Sequence, residues 1–475
     1  MTATTTYDVT AEDLEEFIHA NWDAFLRDAA TLIAIDSSLD ADRAVPGAPF
    51  GPGPRAALDA TLAIAKRFGM EVYDGDGYAG YADLPGTSGQ QLGVIGHVDV
   101  VPAGTGWLFE PFKLTRRDEV LIGRGTTDDK IPVLTALYAL KFWIDRGVSL
   151  HHTVRFIFGC NEENGMGDVP YYLKHHQAPD FLFTPDAEFP LAYGEKGLFG
   201  ATFKVNVGEG TLVEFEGGTA TNAVPALAHA VLAVDPAELP RAEHIDIDIC
   251  EGGSLVVANG VGGHASFPEG TRNAIGLLAD YLAHAGVCSD SEIAFMTVLA
   301  AMANEVDGAT VGVVVSDDDF GALTSVIGMA RKEGEYFEFT DDVRFPTAIT
   351  GEKLADAYTA YAKKIGAEVE ITRNQEPFIV DPHTAPIQAL MSAYEEVTGV
   401  ETHPFTIGGA TYAREFPHAV SFGPADPGAV PIPKWVGAMH GADEGVPEEA
   451  VRHAMRIYIR AFGNVAQVKD LRKAQ

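Results

Sequence analysis

Four short stretches carry side chains able to bind or move charge at close quarters: GHVDVVP (96–102), GRGTTDDK (123–130), GCNEENG (159–165) and TPDAEFP (184–190). A fifth, GAMHGADE (437–444), brings a late histidine. Together they offer His97, Asp99, Asp128, Glu162, Glu163, Asp186 and His440, imidazoles and carboxylates without a thiolate. That donor set suits zinc, manganese or cobalt at a hydrolytic site. Two histidines, two carboxylates and one bridging carboxylate can hold two divalent ions about 3.5–4 Å apart. Each motif alone has an ordinary explanation. A histidine at a strand end is commonly satisfied by its neighbours, Asp128-Asp129 reads as a helix N-cap with a first-turn charge, and Asp186 reads as a turn residue. Asp99, two residues after His97, falls on the same strand face and can orient the imidazole. Glu162 and Glu163 crowd two negative charges unless a cation lies near. For all five motifs to be ordinary at once is the weaker explanation.

These residues need a frame. Thr10 followed by Asp13 signals a helix start, and Leu14, Phe17, Ile18, Phe25 and Leu26 continue it at helical spacing. A second helix is expected from Arg55 to Phe68, stopped by Gly69, and a third from Pro132 to about Arg146. The run QLGVIGHVDVV reads as a buried strand ending near His97, TVRFIFG (153–159) as another ending at NEENG, and DFLFTPD (180–186) as a third ending in Asp186. Strands alternating with helices predict an α/β fold with a mixed, largely parallel sheet. In such sheets ligands collect beyond the carboxyl ends of the strands, where these acidic and histidine residues fall. From about 190 to 381 the texture changes. Strands are expected at Phe199–Val207, Ser254–Ala258, Thr310–Val315 and Glu335–Phe345, with two helices, Asn273–Ala285 and Ser291–Val306. This stretch lacks comparable ligand density and reads as an inserted α+β domain, so the expected division is 1–189, 190–381 and 382–475. The last part resumes with a helix over Pro382–Gly399, a Gly-rich turn at GGATYAREF and a helix over Pro447–Phe462, with Glu448 and Glu449 in its first turn.

Composition excludes several classes. Lys+Arg 33 against Asp+Glu 68 gives a net charge of −35, which argues against nucleic acid and anionic membrane partners. The most apolar run, Ile131 to Ile144, contains Lys141 and is shorter than the roughly 20 residues a bilayer requires. Cys160, Cys250 and Cys288 are few and widely spaced, so no disulfide framework and a reducing compartment are expected. The opening residues, MTATTTYDVTAEDLEEF, show neither a basic n-region nor an apolar core, so a secretory leader is not expected. A cytoplasmic location follows as the expectation.

The motifs GHVDVVPAGTGW, GRGTTDDK, GCNEENG, PDAEFP, GGATYAR and AMHGADE resemble those of the dinuclear-zinc metallopeptidases that include aminoacylases, carboxypeptidases, desuccinylases and tripeptidases. Within them the chain most resembles the bacterial Xaa-His dipeptidase (carnosinase-like) branch. The resemblance implies that His97 and Asp186 hold one metal and Glu163 and His440 the other. It implies that Asp128 bridges both, with an unusual cis bond to Asp129, that Asp99 clamps His97 and that Glu162 is the general base. In the inserted lid, GVGGHASFPEG places His264 where the family has a histidine that polarises the scissile carbonyl. ATNAVP places Asn222, and DDVRFP places Arg344, where the family grips the substrate carboxylate, with backbone donors from Gly408 and Gly409. Two departures stand out: Ile131 replaces the glycine usual after DDK, and Ala410 replaces the third glycine of the turn.

What the resemblance implies is a dipeptidase of unblocked substrates. Asp rather than Glu at position 186 goes, in the family, with a free substrate amine, and Arg344 would read a free carboxylate. The alternative within the family is an N-acyl amino acid deacylase. A non-catalytic peptide- or metal-binding protein would be expected to lack a ligand or Glu162, and none is missing. The long lid resembles that of the monomeric branch, so a monomer is expected, with a dimer as the alternative.

Overall fold

Thr10 opens the first helix, Ala11–Ile33. Its side chain accepts from Asp13 N, and the Asp13 carboxylate accepts from Thr10 N at 2.8 Å. Leu14, Phe17, Ile18, Phe25, Leu32 and Ile33 are buried along one face. The computed structural model describes residues 7–472, so the first six residues of the leader reading lie outside the described ones. Two units form. One comprises the chain up to Gly194, Ile379–Phe405 and the chain from Ala410; the other comprises Glu195–Phe378 and Thr406–Gly409.

The first unit is mixed α/β. Its sheet runs in the order Glu71–Gly75, Ala79–Leu84, Thr153–Gly159, Gln91–His97, Phe181–Thr184, Ala419–Ser421, Ala192–Glu195. The middle four strands are parallel to their neighbours, whereas Ala79–Leu84 and Ala192–Glu195 pair antiparallel at the flanks. Parallel strands are covered on both faces, and Gln91–His97 accordingly is apolar and buried along nearly its whole length. The helix Lys130–Asp145 is buried almost all round, from Ile131 to Trp143. Such a helix lies inside a domain rather than on its surface. It begins one residue after Asp129, so its burial fixes where the Asp128-Asp129 pair can be. Helices Pro52–Arg67, Ala385–Thr398 and Glu448–Val465 complete the expected set. A short helix, Asp168–His175, follows the Glu162-Glu163 loop.

The second unit is an eight-stranded antiparallel sheet in the order Ile245–Cys250, Gly253–Asn259, Leu227–Leu232, Leu212–Gly217, Thr324–Glu333, Tyr336–Phe345, Gly197–Asn206, Glu368–Gln375. The helices Ala274–His284 and Asp290–Asn304 share its apolar core. A further helix, Gly351–Ile365, was not among those expected, although Leu354, Tyr358, Tyr361 and Ala362 mark its buried stripe. The strand expected over Thr310–Val315 does not form. A short 3-10 turn, Ala309–Val311, stands at its start, flanked by Gly308 and Gly312 at φ +77° and +81°. Left-handed residues at both ends interrupt an extended run. Residues Thr406–Gly409, expected with the C-terminal segment 382–475, belong to this second unit.

One close approach in the first unit bears on the site. A Cβ at Gly96 would collide with Val133 Cγ2 and Asp129 Oδ2, so the strand admits the helix start only through glycine. Gly96→Ala is expected to lower the stability of the first unit by about 1–3 kcal/mol through overpacking. Gly89→Ala, whose Cβ would meet nothing within 4 Å, is expected to stay within about 0.5 kcal/mol of wild type. Urea unfolding of the two variants measures the difference, and equal midpoints would refute the packing constraint.

Candidate active site

His97 ends its strand fully buried. Its Nδ1 lies 3.0 Å from the main-chain oxygen of Asp99, which can only accept, so Nδ1 carries the proton and Nε2 faces the cluster. Nε2 stands 2.7 Å from Asp128 Oδ1 and 3.8 Å from Asp186 Oδ2. The other oxygen of Asp128, Oδ2, is 2.8 Å from His440 Nε2, which is 3.2 Å from Glu163 Oε2. Asp128 thus offers one oxygen to each histidine. One donor atom each from His97, Glu162 and Asp186 falls within 4.8 Å of the others, and the same holds for His97, Asp128 and Glu163. The five expected metal ligands and Glu162 therefore converge.

The neighbours of these residues do different work. Asp128-Asp129 is a cis peptide. Asp129 occupies the helix N-cap position, yet its side chain caps no helix N–H; instead its Oδ2 accepts from His97 N at 3.1 Å. Asp99 faces His97 Nδ1 with both its main-chain oxygen and its carboxylate. The chain leaves the strand at His97, so the same-face alternation no longer governs. The nearer acceptor for Nδ1 is the Asp99 main chain, with the carboxylate at 3.4 Å. The carboxylate oxygens also accept from Glu162 N and Glu163 N, each at 3.2 Å. Asp168 accepts from Cys160 N at 2.7 Å, from Asn161 N at 3.0 Å and from Tyr412 Oη. Asp168 and Tyr412 were not singled out in the sequence, although Tyr412 lies inside the GGATYAR motif. Arg124 and Glu444, in two of the quoted motifs, were missed in the same way; they form a buried ion pair.

The electrostatics are those of crowded negative charge. Burial lifts the carboxyl groups of Glu162 and Asp186 well above the usual range, and neighbouring carboxylates add to it. Glu163 is raised by burial and by Asp128. Asp128 is held low: burial opposes ionisation, but hydrogen bonds from His440 and His97 outweigh it. Burial disfavours the charged form of His97, and Asp128 and Asp99 overcome it to raise its pKa. His440, likewise disfavoured by burial, is raised to about 10 by Asp128 and Glu163. Nearby Lys130 is buried and lowered to about 7, and its Nζ donates to Leu32 O and Ile35 O. A buried oxygen, Glu163 Oε1, has no hydrogen-bond partner among the described residues. Nitrogen and oxygen donors with excess buried negative charge and an orphaned carboxylate oxygen fit divalent cations.

Within the second unit the remaining candidates form their own cluster. Ala223 pairs with His264 across a short two-stranded ladder, and Asn222 O accepts from Ala265 N at 2.9 Å. His264 Nδ1 accepts from Ser266 N at 3.1 Å, which places the ring proton on Nε2 and makes that atom a donor. Gly408 O accepts from Ser266 Oγ at 3.0 Å and Arg344 Nη1 at 3.3 Å. Gly408, expected to supply a donor, is thus tied in by its carbonyl, with Gly409 following it. Arg344 is buried, and its Nε and Nη2 donate to Asp342 at 2.6 and 3.1 Å. Alternation puts residues 342 and 344 on one strand face, so the pairing was readable from DDVRFP. These bonds use three of the five guanidinium N–H groups.

The profile of peptidase family M20/M25/M40 matches residues 93–464. A Beta-Ala-Xaa dipeptidase of Lactobacillus delbrueckii subsp. lactis is 33% identical, over 97% of this chain and 99% of that protein. Human carnosine dipeptidase 1 is similar in structure at TM-score 0.60 and 15% identity, covering 97% of this chain and 100% of that one. The aminoacylhistidine dipeptidase of Vibrio alginolyticus gives TM-score 0.56 and 15% identity, covering 92% and 96%. At such identities the two structures speak for the fold.

The raised histidine pKa values fix the sign of a pH dependence. Without a cation, His440, raised to about 10, is charged at neutral pH; as a ligand it would have to be neutral, so cation binding would expel a proton. Affinity is then expected to rise with pH from neutrality toward the raised pKa of His440 and to weaken steadily as pH falls. Zinc titration calorimetry at pH 7 in buffers of different ionisation enthalpy measures the released protons. Heats independent of the buffer would contradict this arrangement.

Proposed function

The chain belongs to peptidase family M20/M25/M40 and is a metal-dependent dipeptidase, and on that premise we propose that it hydrolyses unblocked dipeptides, Xaa-His among them. The observation that carries this reading is Asp128 offering one carboxylate oxygen to each of two histidines, with Glu163 and Asp186 alongside. In it, His97 and Asp186 would hold one ion, Glu163 and His440 the other, and Asp128 would serve both. Zinc is the proposed metal, with manganese or cobalt as substitutes. When bound, such a pair supplies Lewis acidity, polarising a carbonyl and lowering the pKa of water toward neutrality.

The chain's own groups supply the proton transfers and the grip. Glu162, whose proton affinity burial raises, takes a proton from the attacking water onto its carboxylate and returns it to the leaving amine. Asp99 steadies that loop through the main-chain N–H groups of Glu162 and Glu163. His264, a donor through Nε2, stabilises the carbonyl oxygen as negative charge develops there. Arg344 reads the substrate's free carboxylate, with Asn222, Gly408 and Gly409 beside it. Asp186, rather than glutamate, supports substrates with a free amine. We place the enzyme in the cytoplasm on its cysteine usage, three and unpaired, and read it as a monomer from the length of its inserted unit, Glu195–Phe378; none of the described helices is long and apolar enough to cross a membrane.

Turnover of a panel of free and N-acetylated dipeptides tests the reading. Free dipeptides are expected to be cleaved, with close to two ions per chain and reversible loss of activity on chelation. Preference for acetylated substrates would make the enzyme a deacylase, and full activity without metal would end the metal reading. Glu162→Gln is expected to keep its ions and lose about 10²–10⁴ in kcat. A variant that loses an ion instead, and turns over when resupplied, would exchange the roles of Glu162 and Glu163.

The second unit gives a separable pair of outcomes. His264→Ala is expected to cost about 10²–10³ in kcat with little change in KM, as for one lost oxyanion donor. Arg344→Ala is expected mainly to raise KM, because a carboxylate contact exists in ground and transition states alike. Steady-state kinetics of both variants on one dipeptide decides; an unchanged kcat in His264→Ala would leave that histidine without a role at the carbonyl.

A further inference from the structure

Arg124 and Glu444 are 1% and 0% exposed, and Arg124 Nη1 donates to Glu444 Oε2. Glu444 Oε1 accepts from Gly125 N at 3.1 Å and from the main-chain N and Oγ1 of Thr127, each at 2.8 Å. Arg124 Nη2 donates to Pro102 O and Ala103 O, each at 3.3 Å, and to His440 O at 3.1 Å. Gly123 N donates to Glu444 O at 2.9 Å. The Trp107 ring lies 5.3 Å from the guanidinium carbon. One ion pair therefore joins three segments: the loop that leaves His97, the loop that enters Asp128 and the loop that carries His440.

Stability alone does not account for such a pair. Taking two charges out of water is costly, and replacing a buried pair by apolar residues of similar volume is often neutral or stabilising. The pair's partners point to a different role. His97 has a strand beneath it. His440 has none: it lies in a segment outside regular secondary structure, with left-handed φ of +63°. That backbone is held from Arg124 at its carbonyl and, further along, from Asp443, which accepts from Leu108 N and Phe109 N at 2.9 and 3.1 Å. Thr127, gripped by Glu444, immediately precedes Asp128.

We propose that Arg124 and Glu444 are positioning residues that set His440 against Asp128, and thereby set the affinity for the ion assigned to Glu163 and His440. The proposal rests on the two-ion reading above. Its consequence is asymmetry: His97 and Asp186 follow strands, and Asp128, shared by both ions, would be seated by the buried helix Lys130–Asp145 as well as by Thr127, whereas His440 would depend on the ion pair. Loss of groups that orient metal ligands typically weakens metal affinity about 10–100-fold.

The test is a zinc competition titration against a fluorescent chelator, on metal-stripped full-length protein without substrate, with thermal unfolding of the same samples. In the Arg124→Met/Glu444→Met double variant, one ion is expected to bind within about threefold of wild type and the other about 10–100-fold more weakly. Its metal-free unfolding midpoint is expected to equal or exceed that of wild type. Arg124→Lys keeps the charge but not the planar fork, and the same selective weakening is expected. If the double variant does not fold, Arg124→Lys decides by the same titration. Wild-type affinity for both ions in a folded variant overturns the proposal, as does equal weakening of both or unfolding of Arg124→Lys. Wild-type protein that binds a single ion refutes the two-ion reading itself and this inference with it.

Discussion

Buried negative charge is the constraint on which the catalytic unit depends. Glu162, Glu163 and Asp186 follow the carboxyl ends of parallel strands and Asp128 stands just before the helix Lys130–Asp145; the four are drawn together where burial opposes their ionisation. The nearest positive groups are two imidazoles, whose pKa values the carboxylates raise. Lys130 spends its hydrogen bonds on carbonyls of the first helix and its exit. An arrangement that costs this much desolvation persists when cations enter it or when the surrounding fold over-determines it. Both conditions shape this unit.

Over-determination comes largely from carboxylates that are not ligands in the proposed scheme. Asp99 gathers the main-chain N–H groups of Glu162 and Glu163, and Asp129 gathers that of His97. Asp168 gathers those of Cys160 and Asn161 together with Tyr412 Oη. Each binds main-chain N–H groups, Asp168 with the Tyr412 hydroxyl besides, so each fixes a loop without consuming a ligand's lone pairs. The close approach at Gly159 belongs to the same device, since a Cβ there would collide with Tyr412 Oη and Asp168. Part of the acidic composition is therefore internal scaffolding rather than surface charge.

This division explains what the sequence disclosed. The α/β alternation, the parallel strands ending at His97, Gly159 and Thr184, and the convergence of the five motifs were legible because hydrophobic period and strand-end chemistry are local signals. The family resemblance named the ligand set, and geometry brings those residues together. The targets of Asp99 and Asp168 were not legible, because a carboxylate that binds a distant main-chain N–H leaves no pattern in spacing. The Arg124–Glu444 pair sat inside two quoted motifs but spans 320 positions, a separation no local reading connects. The helix Gly351–Ile365 carried an ordinary amphipathic stripe that the strand-rich texture around it masked. Over Thr310–Val315, β-branched residues suggested extension, and two left-handed glycines overrode them.

In the proposed reading, Arg344 would recognise a carboxylate on a protein of net charge −35. A field of that sign repels anions at long range, though salt screens it beyond roughly 8 Å at physiological ionic strength. Arg344 does not offset it as a free charge, because Asp342 neutralises the guanidinium from the same strand face. What remains is a donor fork held in place by Asp342 on one side and Gly408 O on the other. For the proposed substrate, a zwitterion with one carboxylate, this favours short-range bidentate geometry over attraction at a distance. A ligand of net negative charge gains the same fork but meets the long-range repulsion, whereas a neutral zwitterion escapes most of it. On the proposed reading, the pairing of Asp342 with Arg344 and the acidic balance of the whole chain would favour the same class of substrate, one that carries a carboxylate without carrying net negative charge.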